Sequence, residues 1–180
     1  MIVKMMKLLE NKTLRLRAIE PEDLDALYTW ENDTELWQLG ASIAPFSRYA
    51  IKEYLINATQ DIYQNRQLRL MIELKESGEA IGTIDLYDFD PLHRRAGIGI
   101  LIDKKYRHQG FGLQTLTLIK TYCFEFLKMN QLYAFIPEKN NISLDLFQKA
   151  GFSPSGTLKD WLSSEHGFGN VIVMQVINTK

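Results

Sequence analysis

Hydrophobic and polar positions change period several times along the chain. Thr13-Leu14-Arg15-Leu16-Arg17 alternates with period two, which predicts a strand with Leu14 and Leu16 on its inner face. Pro21 follows Glu20 and precedes Glu22 and Asp23, a helix start, and Leu24, Leu27, Tyr28 and Glu31 then recur at helical spacing. A loop from Leu39 to Pro45 leads to Ser47, the expected N-cap of a second helix through Tyr54, Leu55 and Ile62. Two strands follow, Arg69 to Lys75 and Ala80 to Tyr87, joined by a turn at Glu76-Ser77-Gly78. A polar connection from Asp88 to Arg95, containing Pro91, precedes a third strand, Ile98 to Ile102.

The longest helical pattern runs from Gly110 to Leu127, apolar at Leu113, Leu116, Ile119, Phe126 and Leu127. Leu132 to Ile136 reads as a short strand, and Asn140 to Ala150 as a helix stopped by Gly151. Phe152 to Leu158 and Val171 to Ile177 are late strands around a turn containing Gly167 and Gly169. Strands interleaved with helices in this order predict an α+β (mixed α/β) domain with one central, mostly antiparallel sheet.

At 180 residues the chain suits one domain with a real core, and 46% hydrophobic with 24% charged residues is ordinary globular composition. A net charge of −1 argues against a generic nucleic-acid binder, which needs an excess of Lys and Arg. Cys123 is the only cysteine, so no internal disulfide and no cysteine-based metal site is expected; its spacing from Ile119 and Leu127 predicts a buried core position. The N-terminal MIVKMMKLLENK has neither an 18-residue apolar run nor a small-residue cleavage site, so no membrane span is expected and the setting is taken as cytoplasmic.

The stretch IDKKYRHQGFGLQTLTLIK, residues 102–120, has two glycines and a cluster of basic and amide side chains between apolar segments. A helix beginning near Gly110 leaves its first N–H groups without intrahelical acceptors, at the positive end of the macrodipole. Gly110 and Gly112 remove Cβ atoms that would hold a ligand away, Arg107 adds fixed charge and Gln109 a neutral donor. That is a site for a pyrophosphate or other anion. A Walker loop would need GK[ST] where Gly112-Leu113-Gln114 stands, and a Rossmann fingerprint would need Gly or Ala where Thr115 stands.

R-x-x-G-x-G after an apolar strand, opening an amphipathic helix, resembles the acetyl-CoA motif of the GCN5-related N-acetyltransferases (GNAT). Thr13 to Arg17 followed by Glu20-Pro21-Glu22-Asp23 is similar to the opening of the RimJ/RimL and spermidine-acetyltransferase branch. NNISLDLFQKAGF, residues 140–152, is similar to its N-x-x-A-x-x-L-Y-x-K-x-GF segment, and Gly156 to Asp160 continues as that branch does.

The resemblance implies that acetyl-CoA is a co-substrate whose pantetheine arm pairs with the backbone of Leu101, Ile102 and Asp103. The pyrophosphate would lie over Arg107, His108, Gln109, Gly110, Phe111, Gly112 and Leu113. A splay between this strand and the next, usually with a bulge, would admit the arm. Asn140 matches an asparagine that contacts the cofactor, and is also an ordinary N-cap. An amine would attack the thioester directly, with a backbone N–H at Leu101 or Ile102 as oxyanion donor.

Two positions depart from the pattern. The family's proton-donating tyrosine is replaced by Phe147, which is expected to pack on the pantetheine or sulfur end. Ser143, four residues earlier on the same helix face, is a candidate to hold a water or donate weakly. Many RimL-like relatives carry glutamate where Gly97 stands. Asp85, which aligns with a glutamate of the polyamine-acetylating relatives and shares a strand face with Thr83 and Tyr87, is the candidate base. His93 has a suitable intrinsic pKa but reads as loop surface.

The acceptor is expected to be a small-molecule or peptide amine, polyamine-like or N-terminal. Trp30, Trp37 and Trp161 with Glu31, Asp33 and Glu35 are candidates to line its pocket beside Asp85 and Tyr87. No metal is expected, and a homo-oligomer is compatible with the resemblance. The alternative reading is an acyl-CoA-binding sensor that has lost its chemistry, motivated by Phe147 and Gly97.

Overall fold

The computed structural model describes residues 8–37, 44–58, 61–164 and 167–179. Among them seven strands form one sheet in the order β1-β2-β3-β4-β5-β7-β6. The strands are β1 (Leu14–Ala18), β2 (Leu68–Leu74), β3 (Ala80–Asp90), β4 (Arg95–Ile102), β5 (Gln131–Pro137), β6 (Ser153–Ser164) and β7 (Gly167–Ile177). Every neighbouring pair is antiparallel except β4 and β5. The helices are α1 (Leu24–Glu31), α2 (Thr34–Trp37), α3 (Arg48–Asn57), α4 (Ile62–Asn65), α5 (Phe111–Thr121) and α6 (Asn141–Lys149).

Strand alternation sorts the apolar side chains onto two faces. Leu14, Leu16, Leu70, Ile72, Ile84, Ile98, Leu132 and Ala134 form the main core with Leu116 and Ile119 of α5 and Phe147 of α6. Met71 turns the other way and packs with Leu27 and Trp30 of α1 and Ile51 and Leu55 of α3. Cys123 is fully buried in the main core, as its spacing predicts, and burial pushes its thiol far up, which keeps it unreactive. The β1–β2 end is pinned by a buried carboxylate. Glu73 accepts from both Arg15 and Arg17, and Arg17 also makes two 2.8 Å bonds to Asp23.

Several boundaries differ from those the sequence predicts. The helix expected from Ser47 through Ile62 is two helices. Ser47 caps α3, which ends at Asn57, and Asp61 caps α4 through Tyr63 N and Gln64 N. The expected connection from Asp88 to Arg95 shrinks to a four-residue turn, Pro91 to Arg94, between β3 and β4. A one-residue register shift between Tyr87 and Asp90, with Asp88 at φ 48°, lets β3 run on to Asp90. The long helix from Gly110 widens into a π turn over Tyr122–Phe126, and Leu127 N bonds to Tyr122 O. β6 is longer than expected, and Gly169 lies within β7 rather than in a turn. The expected loop from Leu39 to Pro45 falls largely outside the described residues.

Candidate active site

β4 and β5 pair only at Arg95–Gln131, Ala96–Leu132 and Gly97–Tyr133, then separate. On its other edge β4 stays in register with β3 as far as Gly82–Ile102. Asp103 N donates to Ile81 O at 2.9 Å, which fixes the parity of this antiparallel ladder. Odd-numbered residues, Leu101 among them, direct their backbone groups to β3. Ile100 and Ile102 turn theirs into the opening that β5 leaves. Of the three residues expected along pantetheine, only Ile102 turns its backbone groups into the opening. Leu101 and Asp103 are bonded to β3, and Ile100 takes the vacant place. The expected splay is present, but the bulge lies on β3 at Asp88, not on β4.

The opening leads to the glycine turn. Arg107 folds back, its Nε donating to Ile102 O at 2.9 Å, and Gln109 Nε2 donates to Lys105 O at 3.0 Å. His108 (φ 62°) and Gly110 (φ 80°) are left-handed, and together they reverse the chain into α5. The N-cap is Gly110, with no capping side chain, and the first helical bond runs from Gln114 N to Gly110 O. The N–H groups of Phe111, Gly112 and Leu113 therefore have no acceptor within the helix. A Cβ on Gly110 would meet nothing within 4 Å, so this position leaves the approach clear. Gly112 has a different reason. Its Cβ would stand 3.1 Å from a Leu146 methyl, so it serves the packing of α5 on α6.

At the closed end of the opening stands Tyr87. A Cβ on Gly97 would lie 2.2 Å from Tyr87 Cε2 and 2.3 Å from Cζ, so the phenol ring lies across the glycine. Tyr133 meets this ring edge-on at 5.9 Å. Burial raises the Tyr87 phenol well above the ordinary tyrosine value; nearby Tyr133 adds to this, and the Phe135 backbone N–H facing the oxygen opposes it. Beyond lies a groove of about 650 Å³ lined by Asp88, Asp90, Arg95, Tyr133, Phe135 and Gln175, among others. Tyr133 Oη is 3.5 Å from Asp88 Oδ2, and Asp90 is held by Arg95 at 3.4 Å. Asp88, Tyr133 and Phe135 were not singled out by sequence reasoning. The alternation of Tyr133 and Phe135 along β5 was the available signal.

Asp85 lies beside Gly99 on the same sheet face, with Arg69 bonded to its two oxygens at 2.7 and 3.2 Å. Arg69 also bonds Glu31 at 2.6 Å and lies over the Tyr54 ring at 5.9 Å. Burial raises the Asp85 carboxyl, and Arg69 opposes that shift. The base candidate is thus a member of a half-buried ion cluster and not a free carboxylate. Arg69 and Tyr54 escaped sequence reasoning because an arginine within a strand pattern carries no sign of its partner.

Other expected residues are structural. Trp30 is 7% exposed, part of the second core, and its Nε1 donates to Asp103 Oδ2 at 2.9 Å. Trp37 Nε1 donates to Glu31 O at 2.7 Å. Asp33 and Glu35 both pair with Lys104, at 3.0 and 2.9 Å, and Lys104 holds the Asp33 carboxyl below its ordinary value. Trp161 is exposed on β6. Asn140 caps α6 through Ser143 N at 3.1 Å, and Ser143 is half-buried on that first turn. Phe147 is 3% exposed and packs edge-on against Phe152 at 5.0 Å. It belongs to the main core, since a ring without a hydroxyl gains most from burial.

A family profile described as "Acetyltransferase (GNAT) domain" matches residues 13–153. The chain belongs to the GNAT acetyltransferase family. Spermidine N(1)-acetyltransferase of Escherichia coli (strain K12) is 25% identical over 146 residues, covering 81% of this chain and 76% of that protein. The crystal structure of spermidine N-acetyltransferase from Vibrio cholerae in complex with CoA and spermine superposes with a TM-score of 0.84 at 23% identity, over 94% of this chain and 98% of that one. The ribosomal-protein-S5-alanine acetyltransferase of Vibrio fischeri gives 0.82 at 18%, over 95% and 96%. The RimJ/RimL and spermidine-acetyltransferase resemblance drawn from the motifs is borne out.

For a GNAT acetyltransferase the geometry is coherent. The uncapped N-terminus of α5 fits a pyrophosphate, and the unpaired edge of β4 fits the amides of a pantetheine arm. Among the described residues no group of three or more His, Cys, Asp or Glu could hold a metal ion, and no helix is long and apolar enough to cross a membrane.

Proposed function

We propose that this GNAT protein transfers the acetyl group of acetyl-CoA to a cationic primary amine by direct attack in a ternary complex. The observation that carries the reading is the β4–β5 opening, which joins an uncapped, glycine-lined helix N-terminus at one end to an aromatic and acidic groove at the other. Pyrophosphate oxygens would accept from the N–H groups of Phe111, Gly112 and Leu113, with Arg107 and His108 alongside. The arm would run along Ile102 and Ile100, and the thioester oxygen would take a backbone N–H of β4 as it gains charge.

The acceptor would enter the groove between Asp88 and the rings of Tyr133 and Phe135. Carboxylate and aromatic faces suit an ammonium, and Asp88 would take its proton before attack. Asp85, Arg69 and Glu31 would act behind it as a fixed charged wall. Kinship with spermidine N-acetyltransferases supports a polyamine, and kinship with a ribosomal-protein-alanine acetyltransferase supports a peptide N-terminus. The pairing of Asp33 and Glu35 with Lys104 leaves fewer acids for a polycation, which favours an acceptor of one or two charges.

The purified protein is given acetyl-CoA with either polyamines or short peptides bearing free N-termini, and thiol release is followed. Release with one pool, abolished in Gly110→Glu, is the expected result. That variant forces a side chain onto φ 80° and sets a carboxylate where phosphate would bind. An acetyl-CoA affinity unchanged by Gly110→Glu would overturn the placement of the cofactor. Tight binding with no release from any amine would favour the sensor, the reading that the missing tyrosine at Phe147 supports.

A further inference from the structure

The reaction class needs a proton donor for the departing sulfur, and the helix position that would carry it holds Phe147, buried against Phe152. A phenol at the closed end of the opening belongs to a different element. Tyr87 projects from β3 across Gly97, the last β4 residue paired with β5, and its ring carbon Cζ lies where a Gly97 Cβ would be. Glu138 N bonds to Asn170 O at 3.0 Å and Asn178 N to Asn130 O at 2.8 Å, which sets even-numbered β5 residues onto β7. The odd-numbered Phe135 therefore turns its N–H toward β4, at the first rung lost when the strands part. The Tyr87 oxygen lies on the side of the sheet to which this N–H is near enough to oppose the rise of its phenol. A phenol oxygen carries a hydrogen that it can donate.

The distance is suitable. From Ile102, beside the glycine turn, back to Ile98 is roughly 13 Å at about 3.3 Å per residue. That is comparable to the reach of an extended pantetheine arm, so a thioester carried along β4 would arrive beside the Tyr87 ring.

We infer that Tyr87, from β3, is the catalytic proton donor of this enzyme and takes the role that the α6 position 147 has given up. The inference rests on the proposed placement of acetyl-CoA in the opening. The acceptor nitrogen bonds to the thioester carbon, and the carbonyl pair moves to oxygen. When that pair returns, the C–S bond breaks and its electrons leave with sulfur. Tyr87 Oη gives its proton to the sulfur, forming the thiol. The proton shed by nitrogen returns to the phenolate through water in the groove, so the products are amide and CoA. The other ionisable groups facing Tyr87 are Tyr133 and Asp88. The same ring explains why a side chain is missing at Gly97: any Cβ there would overlap the donor.

Tyr87→Phe keeps the ring over Gly97 and removes only the hydroxyl. Two readouts are compared with the unaltered protein: steady-state kinetics with the amine pool that turns over, and titration of the thiol of bound CoA by thiolate absorbance. The expected result is a fall in kcat of about a hundredfold, the lower range for a lost general acid, with KM for acetyl-CoA within about twofold. The acid dissociation constant of bound CoA should also fall by about tenfold in Tyr87→Phe, because the thiolate loses a hydrogen bond. Unchanged kcat, or an unchanged titration of bound CoA where no amine turns over, overturns the inference while leaving acetyl-CoA binding intact. Failure of the unaltered protein to bind CoA would instead overturn the placement in the opening, and the donor assignment with it.

Discussion

The two edges of β4 are built on opposite rules. Toward β3 the strand is paired from Arg95 to Ile102; toward β5 it is paired over three residues and then left open. The closed edge depends on close contact. A Cβ on Gly82 would stand 2.0 Å from Leu101 O, so β3 approaches β4 more tightly there than any side chain allows. The open edge depends on a ring laid over a glycine. Backbone groups are obligatory hydrogen-bonding partners, so a strand edge left unpaired inside a fold is a place prepared for something else to pair with it.

The largest expected effect breaks the closed edge. In Gly82→Ala the new methyl meets a backbone carbonyl and not a movable side chain, and a loss of about 4 kcal/mol or failure to fold is expected, measured by chemical denaturation. Next is the β1–β2 end of the same paired half. Burial pushes the Glu73 carboxyl up, but bonds from Arg17 and Arg15 outweigh it and hold the carboxyl below its ordinary value. A depressed folded pKa stabilises above the unfolded value, about 4.3, and that stabilisation is lost as pH falls through the folded pKa. Glu73→Gln should cost about 3 kcal/mol at neutral pH, the range for breaking a buried pair. It should also flatten the decline of stability between about pH 5 and 3, where the unaltered protein declines. Equal slopes for the two proteins would mean that other carboxylates govern the acid limb.

The smallest effect sharpens the open edge. Gly97→Ala should cost about 2 kcal/mol through overlap with the Tyr87 ring. In a Tyr87→Ala background the same change should cost under about 0.5 kcal/mol, since the ring is gone; additivity of the two changes would show that they do not meet.

Much of this was legible in the residues. Period-two alternation at Leu14 and Leu16, the i, i+4 spacing of Cys123, the cap at Ser47 and the turn around Gly110 each follow from local rules, and each stands in the structure. Illegible were the roles that depend on a partner far along the chain. Gly112 looked like Gly110, yet one faces Leu146 and the other nothing. Trp30 looked like part of a pocket wall, yet its indole N–H belongs to Asp103. Asp85 looked like a free base until Arg69 was set across from it.

The sequence by itself determined the elements, their order and the glycine turn that opens α5, because those are set by side chains within a few residues of one another. The tertiary structure decided which backbone edge is open, which carboxylates are already paired, and which ring lies across Gly97. Those depend on strand register and on the divergence of β4 from β5. A shift of one residue in that register would turn Ile100 and Ile102 away from the opening without changing a letter of the sequence.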